Sequence, residues 1–225
     1  LGYTADKPLQ LFIVDVPQLD AEPKVAPAGR ALKALGAAAD PAEAAAGLLP
    51  VAKQLTTGAA DHNDASFSAD GGTIYFTAAL HDGRDTDLVS GIYAIPAAGG
   101  QPQAVAPANA GRQSISAVRQ SVDGQWLFFL AQDVGASGRD FVARNTALYA
   151  MPAAGGHATA LSDAETLDLS GGSRIELRGA SGALVLNTAR GTVELHEFLA
   201  TGGHTVLVEG NRVVTGAAEG GGRLV

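Results

Sequence analysis

The 225-residue sequence predicts an all-β fold made of repeated units of about fifty residues each. Three apolar runs, at 91–100, 147–156 and 194–203, each end in a Gly-Gly turn. The turns begin at Gly99, Gly155 and Gly202, so they recur after 56 and then 47 residues. Recurrence at such a period is typical of stacked supersecondary units. We expect these three segments to be scaffold and to carry no chemistry.

A second turn, of the form Ser-x-Asp-Gly, occurs at 68–71 and again 53 residues later at 121–124. Asp-Gly between β-prone runs indicates a hairpin, because Gly adopts positive φ and the Asp side chain caps the turn. The runs that follow, 73–76 and 126–130, are short and almost wholly apolar. This pattern predicts strands buried between two packed sheets.

Two further repeats keep the strands while the turn is eroded. A third unit runs through 173–178 and 183–188, and a fourth is expected to begin at Glu194 and to continue to the end of the chain. Short strands at regular spacing, four to a repeat, are typical of β-propeller blades. We therefore predict one partial β-propeller domain over 1–225, with four to five four-stranded blades of an incomplete ring. Both ends of the sequence read as cuts through a longer chain.

One segment, 21–53, interrupts the repeats with an Ala-, Pro- and Leu-rich composition. Asp40, Pro41 and Glu43 have the pattern of a helix start, with an N-cap, Pro at the first helical position and an acidic residue three after the cap. Pro50 ends whatever precedes it. Short Ala-rich helices are marginal alone, so the alternatives are one or two short helices or a loop.

The composition excludes several classes of function. The net charge of −8 and the absence of any Lys/Arg run argue against nucleic acid as a partner. The sequence has no cysteine, which removes disulfides, thiolate zinc sites and thiol catalysis, but leaves the compartment open. No stretch is long and apolar enough for a membrane span, and the N-terminal residues lack the pattern of a signal peptide.

Four stretches resemble the propeller of the prolyl oligopeptidase family of serine peptidases, in particular its acylaminoacyl-peptidase branch. They are 11–15, 53–71, 144–156 and 161–169, and they follow one another in the family's order. The family's usual Ser-Pro-Asp-Gly turn has Ala69 and Val122 here in place of Pro. The same turns occur in TolB-like propellers that have no catalytic domain.

The resemblance implies a non-catalytic segment that forms part of a chamber admitting short peptides to a Ser-Asp-His α/β-hydrolase domain. That domain is expected C-terminal to Val225, because this chain has no G-x-S-x-G motif. The strings at 135–138 and 179–182 place the second Gly one residue too early. The resemblance further implies the hydrolase domain of the same polypeptide as partner, a homo-oligomer, no cofactor and a cytoplasmic location. The alternatives are a TolB-like protein-binding propeller without an enzyme domain and, third, a small-molecule binder.

Two polar clusters are candidate sites. The residues at 61–64, Asp-His-Asn-Asp, could bind a metal or pair a His with a carboxylate, or they could satisfy backbone groups at a strand entry. The loop 81–87 holds three Asp and one Arg, and it resembles a calcium loop without the closing Glu. A solvated loop is the alternative.

Three charged residues, Arg139, Asp140 and Arg144, flank a long loop and are candidates for substrate gating or docking, with an exposed ion pair as the alternative. Trp126 lies within an apolar run and is expected in the core. His157, His196 and His204 do not have metal-ligand spacing, so no metal site is predicted from them.

Overall fold

The computed structural model describes residues 7–16, 51–106, 112–169 and 174–225. The chain divides into two compact units, 12–55 and the remainder. The described part of the smaller unit contains one antiparallel ladder, β1 (Phe12–Ile13) with β2 (Lys53–Gln54). Most of the predicted insertion at 21–53, including its expected helix start at 40–43, lies outside the described residues.

The described part of the larger unit contains three four-stranded antiparallel sheets, each a meander in chain order. The first holds β3 (His62–Phe67), β4 (Thr73–Ala78), β5 (Gly91–Pro96) and β6 (Gln103–Ala106); the second holds β7 (Gln113–Gln120), β8 (Trp126–Asp133), β9 (Thr146–Pro152) and β10 (Thr159–Ala160); the third holds β11 (Glu176–Arg178), β12 (Gly182–Ala189), β13 (Thr192–Leu199) and β14 (His204–Val208). A hairpin of β15 (Glu219–Gly220) and β16 (Arg223–Leu224) follows. In these described ranges the one helical element is a 3₁₀ turn at Arg84–Thr86, and no helix there is long or apolar enough to span a membrane.

The Ser-x-Asp-Gly turns join the first and second strands of the first two sheets. In the first turn the Ser68 hydroxyl donates to Asp70 Oδ1 at 2.6 Å and accepts from the Thr73 amide at 2.9 Å. Asp70 Oδ1 also accepts from the Gly72 amide at 2.9 Å. These bonds, led by the one from Ser68, lower the pKa of Asp70. The turn at 121–124 repeats the same pattern of bonds, as predicted from the sequence.

The Gly-Gly turns join the third and fourth strands of all three sheets. Gly99, Gly155 and Gly202 have φ of 93°, 98° and 98°, a region that favours glycine. The apolar runs before these turns are therefore β5, β9 and β13. Glu194 lies in β13, inside the third sheet, so the expectation that a fourth repeat starts there is wrong: the Gly-Gly turn marks the outer half of a sheet and not its beginning.

Burial on both faces of β8 explains its continuous apolar run. Leu127 and Phe129 pack into the core between the first and second sheets. Phe128 and Leu130 pack into the core between the second and third sheets, against which Trp126 is partly buried. The predicted buried strands are confirmed by this packing.

The first strands of the first and second sheets lie side by side. Strand β3 packs along β7, and the buried Ser66 hydroxyl donates to the Val118 carbonyl at 2.8 Å. Meander sheets stacked face to face with their first strands adjacent are β-propeller blades. The predicted all-β, incomplete-propeller architecture is confirmed, with three complete four-stranded sheets in the described part of the chain.

Candidate functional site

A cleft of about 690 Å³ lies at the end of the first sheet where β3 begins and β4 ends. We call it the loop-end cleft. It is bounded by the segment before β3, the loop between β4 and β5, and the start of β7. Its charged side chains are Asp61, Asp64, Arg84, Asp85 and Asp87. The structure therefore brings the two polar clusters predicted from the sequence into one cleft, with a strong excess of negative charge.

In the 61–64 cluster, some side chains satisfy backbone groups. Asp61 Oδ1 accepts from the Leu9 amide at 2.7 Å, and His62 Nδ1 lies 3.3 Å from the Leu9 carbonyl. His62 is buried and packs against Phe76, with ring centroids 5.3 Å apart. Asp64 accepts from the Thr77 hydroxyl at 3.1 Å and keeps its carboxylate at the cleft wall.

The loop between β4 and β5 is organised around Asp87. His81 Nε2 lies 3.0 Å from Asp87 Oδ1, which also accepts from the Val89 amide at 3.0 Å. Burial raises the pKa of Asp87, but the Val89 amide, His81 and the charge of Arg139 outweigh it, so that the pKa is lowered overall. Asp87 is therefore a carboxylate at neutral pH, and Asp85 beside it is exposed.

The loop between β8 and β9 rests on this same region. Arg139 Nε donates to the Thr86 carbonyl at 2.6 Å, and the Gly138 carbonyl accepts from the Leu88 amide at 2.8 Å. Asp140 and Arg144 form a half-exposed ion pair at 3.7 Å, which contributes at most ~1 kcal/mol. The residues that line the loop-end cleft, all in the described ranges, include none of Arg139, Asp140 and Arg144.

A second cavity, of about 300 Å³, lies where the first strands of the sheets converge. We call it the inner-strand cavity. Asp64 lines both cavities, and here it faces a surface that includes Arg119 and Arg174. In the described part of the chain, neither Arg side chain has a salt bridge. Sequence reasoning missed both arginines, because they are isolated in the chain and belong to no motif.

Two bulges shape the inner-strand cavity. Strand β3 shifts its register against β4 between Asn63 and Ser66. Strand β7 shifts its register against β8 between Ser116 and Arg119. Asp64 and Ala117 take left-handed φ values of 53° and 54° at these bulges. The two residues are 53 positions apart, the spacing of the Ser-x-Asp-Gly turns, so alignment of the repeats could have paired them. Asp is one of the few residues that tolerates this conformation well.

The arrangement suits the binding of charged groups. The carboxylates of the loop-end cleft offer acceptors for an ammonium or guanidinium group, and the arginines of the inner-strand cavity offer donors for a carboxylate. Among the described residues, no three His, Asp or Glu side chains converge as metal ligands. His196 and His204, whose spacing in the sequence predicts no metal site, lie in contact in the third sheet.

No protein-family model and no curated protein matches the chain. Solved structures do match, among them TolB from Acinetobacter baumannii, with 13% identity and a TM-score of 0.49 over 68% of this chain and 33% of that one. The chain thus spans about a third of the length of that TolB. A putative TolB from Agrobacterium tumefaciens has 14% identity and a TM-score of 0.32 over 70% and 69%. The β-propeller domain of the Trilobed protease from Pyrococcus furiosus has 9% identity and a TM-score of 0.27 over 76% and 77%. These neighbours are β-propellers, and at such identities and TM-scores nothing about activity follows from them.

Proposed function

We propose that this chain is a non-catalytic propeller segment that receives peptide chains for a serine peptidase of the prolyl oligopeptidase type. The hydrolase domain would belong to the same polypeptide, and this segment would select peptides by size and by their charged ends. The proposal rests on the sequence resemblance and on the loop-end cleft. The cleft is the observation that carries it, since four carboxylates and one arginine line a space of about 690 Å³.

The physical role of the cleft would be to hold a positively charged group of the peptide. Asp85 is exposed, while Asp61 and Asp64 are held by hydrogen bonds that leave carboxylate oxygens at the wall. An N-terminal ammonium or a Lys side chain would gain charge-assisted hydrogen bonds there. An acetylated N-terminus would lose them.

The test is calorimetric titration of the chain with a short neutral peptide that has either a free or an acetylated N-terminus. We expect the free amine to bind more tightly. Asp85→Asn should weaken its binding by about twofold to fivefold, the range for an exposed charge pair. Asp82→Asn is the matched control, because Asp82 lies in the same loop but does not line the cleft. Equal affinity for both peptides would contradict the proposed role of the cleft.

The peptidase part of the proposal has its own test. The isolated chain should not hydrolyse chromogenic peptide or acyl-amino-acid substrates. A reading frame that continues past Val225 into a G-x-S-x-G motif followed by Asp and His would support the peptidase. Turnover by the purified chain, or a frame that completes the propeller without such a motif, would contradict it.

The second candidate is a protein-binding propeller without an enzyme domain. It is favoured by Phe141 and Val142, which are 61% and 77% exposed on the loop that rests beside the cleft. The two side chains are adjacent, and a protein partner that covered them would remove this apolar surface from water. A peptide affinity that falls in Phe141→Ser but not in Asp85→Asn would favour this candidate.

A further inference from the structure

The third sheet contains a hydrogen-bonded chain of titratable side chains. In the ladder of β13 and β14, Phe198 pairs with His204 and His196 pairs with Val206, so the two histidines are diagonal neighbours. His196 Nδ1 lies 2.8 Å from His204 Nε2, with ring centroids 5.0 Å apart. His196 is buried, whereas His204 is exposed.

The other nitrogen of His196 is held by a carboxylate. Glu194 Oε2 lies 3.0 Å from His196 Nε2 and accepts from Asn187 Nδ2 at 3.0 Å. Hydrogen bonds from His196 and Asn187 lower the pKa of Glu194, so it is ionised at neutral pH. A carboxylate only accepts, so the proton on this side of the His196 ring is on Nε2.

Only one proton can therefore lie between His196 Nδ1 and His204 Nε2. When both histidines are neutral, His204 Nε2–H donates to His196 Nδ1. When His196 takes up a proton, its Nδ1–H donates to a bare His204 Nε2. A second proton would place two N–H groups against each other at 2.8 Å, and the contact would be lost.

The neighbouring positions of β12 and β13 contribute a neutral amide and a carboxylate that is paired elsewhere. Strand β12 contributes the neutral Asn187, whose Oδ1 accepts from the Asp168 amide at 2.9 Å. Strand β13 contributes Glu194, and its neighbour Glu197 pairs instead with Arg178 of β11 at 3.2 Å. The face of Phe198 stacks on the His204 ring at 4.4 Å and 2°.

We propose that Glu194, His196 and His204 form a pH-sensitive latch that holds the outermost strand of the third sheet. Among the described strands, β14 pairs with β13 alone, and it follows directly on the Gly202–Gly203 turn. Acidification releases β14, because the doubly protonated pair cannot keep its contact. The released edge of β13 then presents unpaired backbone groups.

The sign of the effect follows from the direction of the pKa shift. Burial, and then the charge of His196, lower the pKa of His204 below the usual 6.5. The latched state thus binds fewer protons than the released state. The stabilisation is fully present above about pH 6.5 and is lost progressively as the pH falls below it.

The experiment is hydrogen–deuterium exchange of the whole chain at pH 7.5 and at pH 5, corrected for the intrinsic exchange rate. We expect protection of 204–208 to fall by up to about tenfold for each pH unit between 6.5 and the lowered pKa of His204, while β4 and β8 keep theirs. In His204→Gln the fall should disappear, because the Gln amide donates to His196 Nδ1 and does not titrate. His157→Gln, at an exposed histidine on another sheet's turn, should keep the fall.

Three results would overturn the latch. They are equal protection of β14 at both pH values, a pH-dependent fall that persists in His204→Gln, and a parallel loss in β4 and β8. An NMR titration of the native chain tests the latch without any variant. A His204 midpoint below 6.5 supports it, and a midpoint at or above 6.5 contradicts it.

Discussion

The two Ser-x-Asp-Gly turns should respond differently to proline. Both are β-turns in which the Gly amide donates to the Ser carbonyl at 2.9 Å, so Ala69 and Val122 occupy the second position, where Pro is favoured. The Ala69 amide donates to Gln120 Oε1 at 2.8 Å. In the described part of the chain, the Val122 amide has no hydrogen-bond partner. Pro at position 122 therefore removes no hydrogen bond of the described residues, whereas Pro at position 69 removes the bond to Gln120.

The magnitude follows from two terms. A compatible X→Pro change stabilises by about 0.4–1 kcal/mol through the unfolded chain. Val122 is 59% exposed, so Val122→Pro should keep most of this gain. Ala69→Pro also removes one hydrogen bond, a loss of about 0.5–1.5 kcal/mol. We expect it to be neutral or destabilising, and about 1 kcal/mol below Val122→Pro.

Urea unfolding of both variants measures this difference as a change in the free energy of unfolding. The same pair in a Gln120→Ala background forms a double-mutant cycle, in which Ala69→Pro should become stabilising. The cycle is needed because Gln120 Nε2 also donates to the Gly124 carbonyl at 2.9 Å. Equal stabilisation by both prolines in the native background would refute the reasoning.

Three further predictions concern the core, acid stability and assembly. Phe129→Ala should lower the free energy of unfolding by about 3–5 kcal/mol, because the Phe129 ring is 1% exposed and stacks on Tyr149 at 5.4 Å. Phe141→Ala, at an exposed position, is the control and should change that free energy by less than ~0.5 kcal/mol. The lowered pKa of Asp70 contributes stability that is present above about pH 3.8 and is lost as the pH falls through the pKa of the folded state. In Ser68→Ala, the free energy of unfolding should therefore depend less on pH in this acid range. The chain should self-associate through exposed strand edges, and a single monomeric species in concentrated sedimentation runs would contradict this.

Much of the scaffold follows from local chemistry that a sequence displays. The Ser68–Gly71 turn forms from side-chain bonds within five residues, so its motif predicts the hairpin directly. The double burial of β8 also follows from its unbroken apolar run. The repeat period predicts the propeller, but it leaves open where a sheet begins. The fourth repeat is therefore expected at Glu194, although Glu194 lies inside the third sheet.

The candidate site was predicted only in pieces. The clusters at 61–64 and 81–87 are separate in the chain, and the antiparallel pairing of β3 with β4 brings them together in one cleft. Arg119 and Arg174 belong to no motif, and only the convergence of the inner strands places them in one cavity. The segment at 194–203, expected to be mere scaffold, carries Glu194 and His196.

The all-β class, the turns and the buried strands are thus predictable from the sequence, because each depends on side chains close together in the chain. The grouping of charges in the loop-end cleft and the contact between His196 and His204 arise only when the strands pair and pack. The second contact depends on strand register, and a shift of one residue would turn one of the two histidines to the opposite face of the sheet. The register is set by the turn and by the packing of Phe198 in the core. The positions of the two histidines in the sequence therefore do not predict their contact.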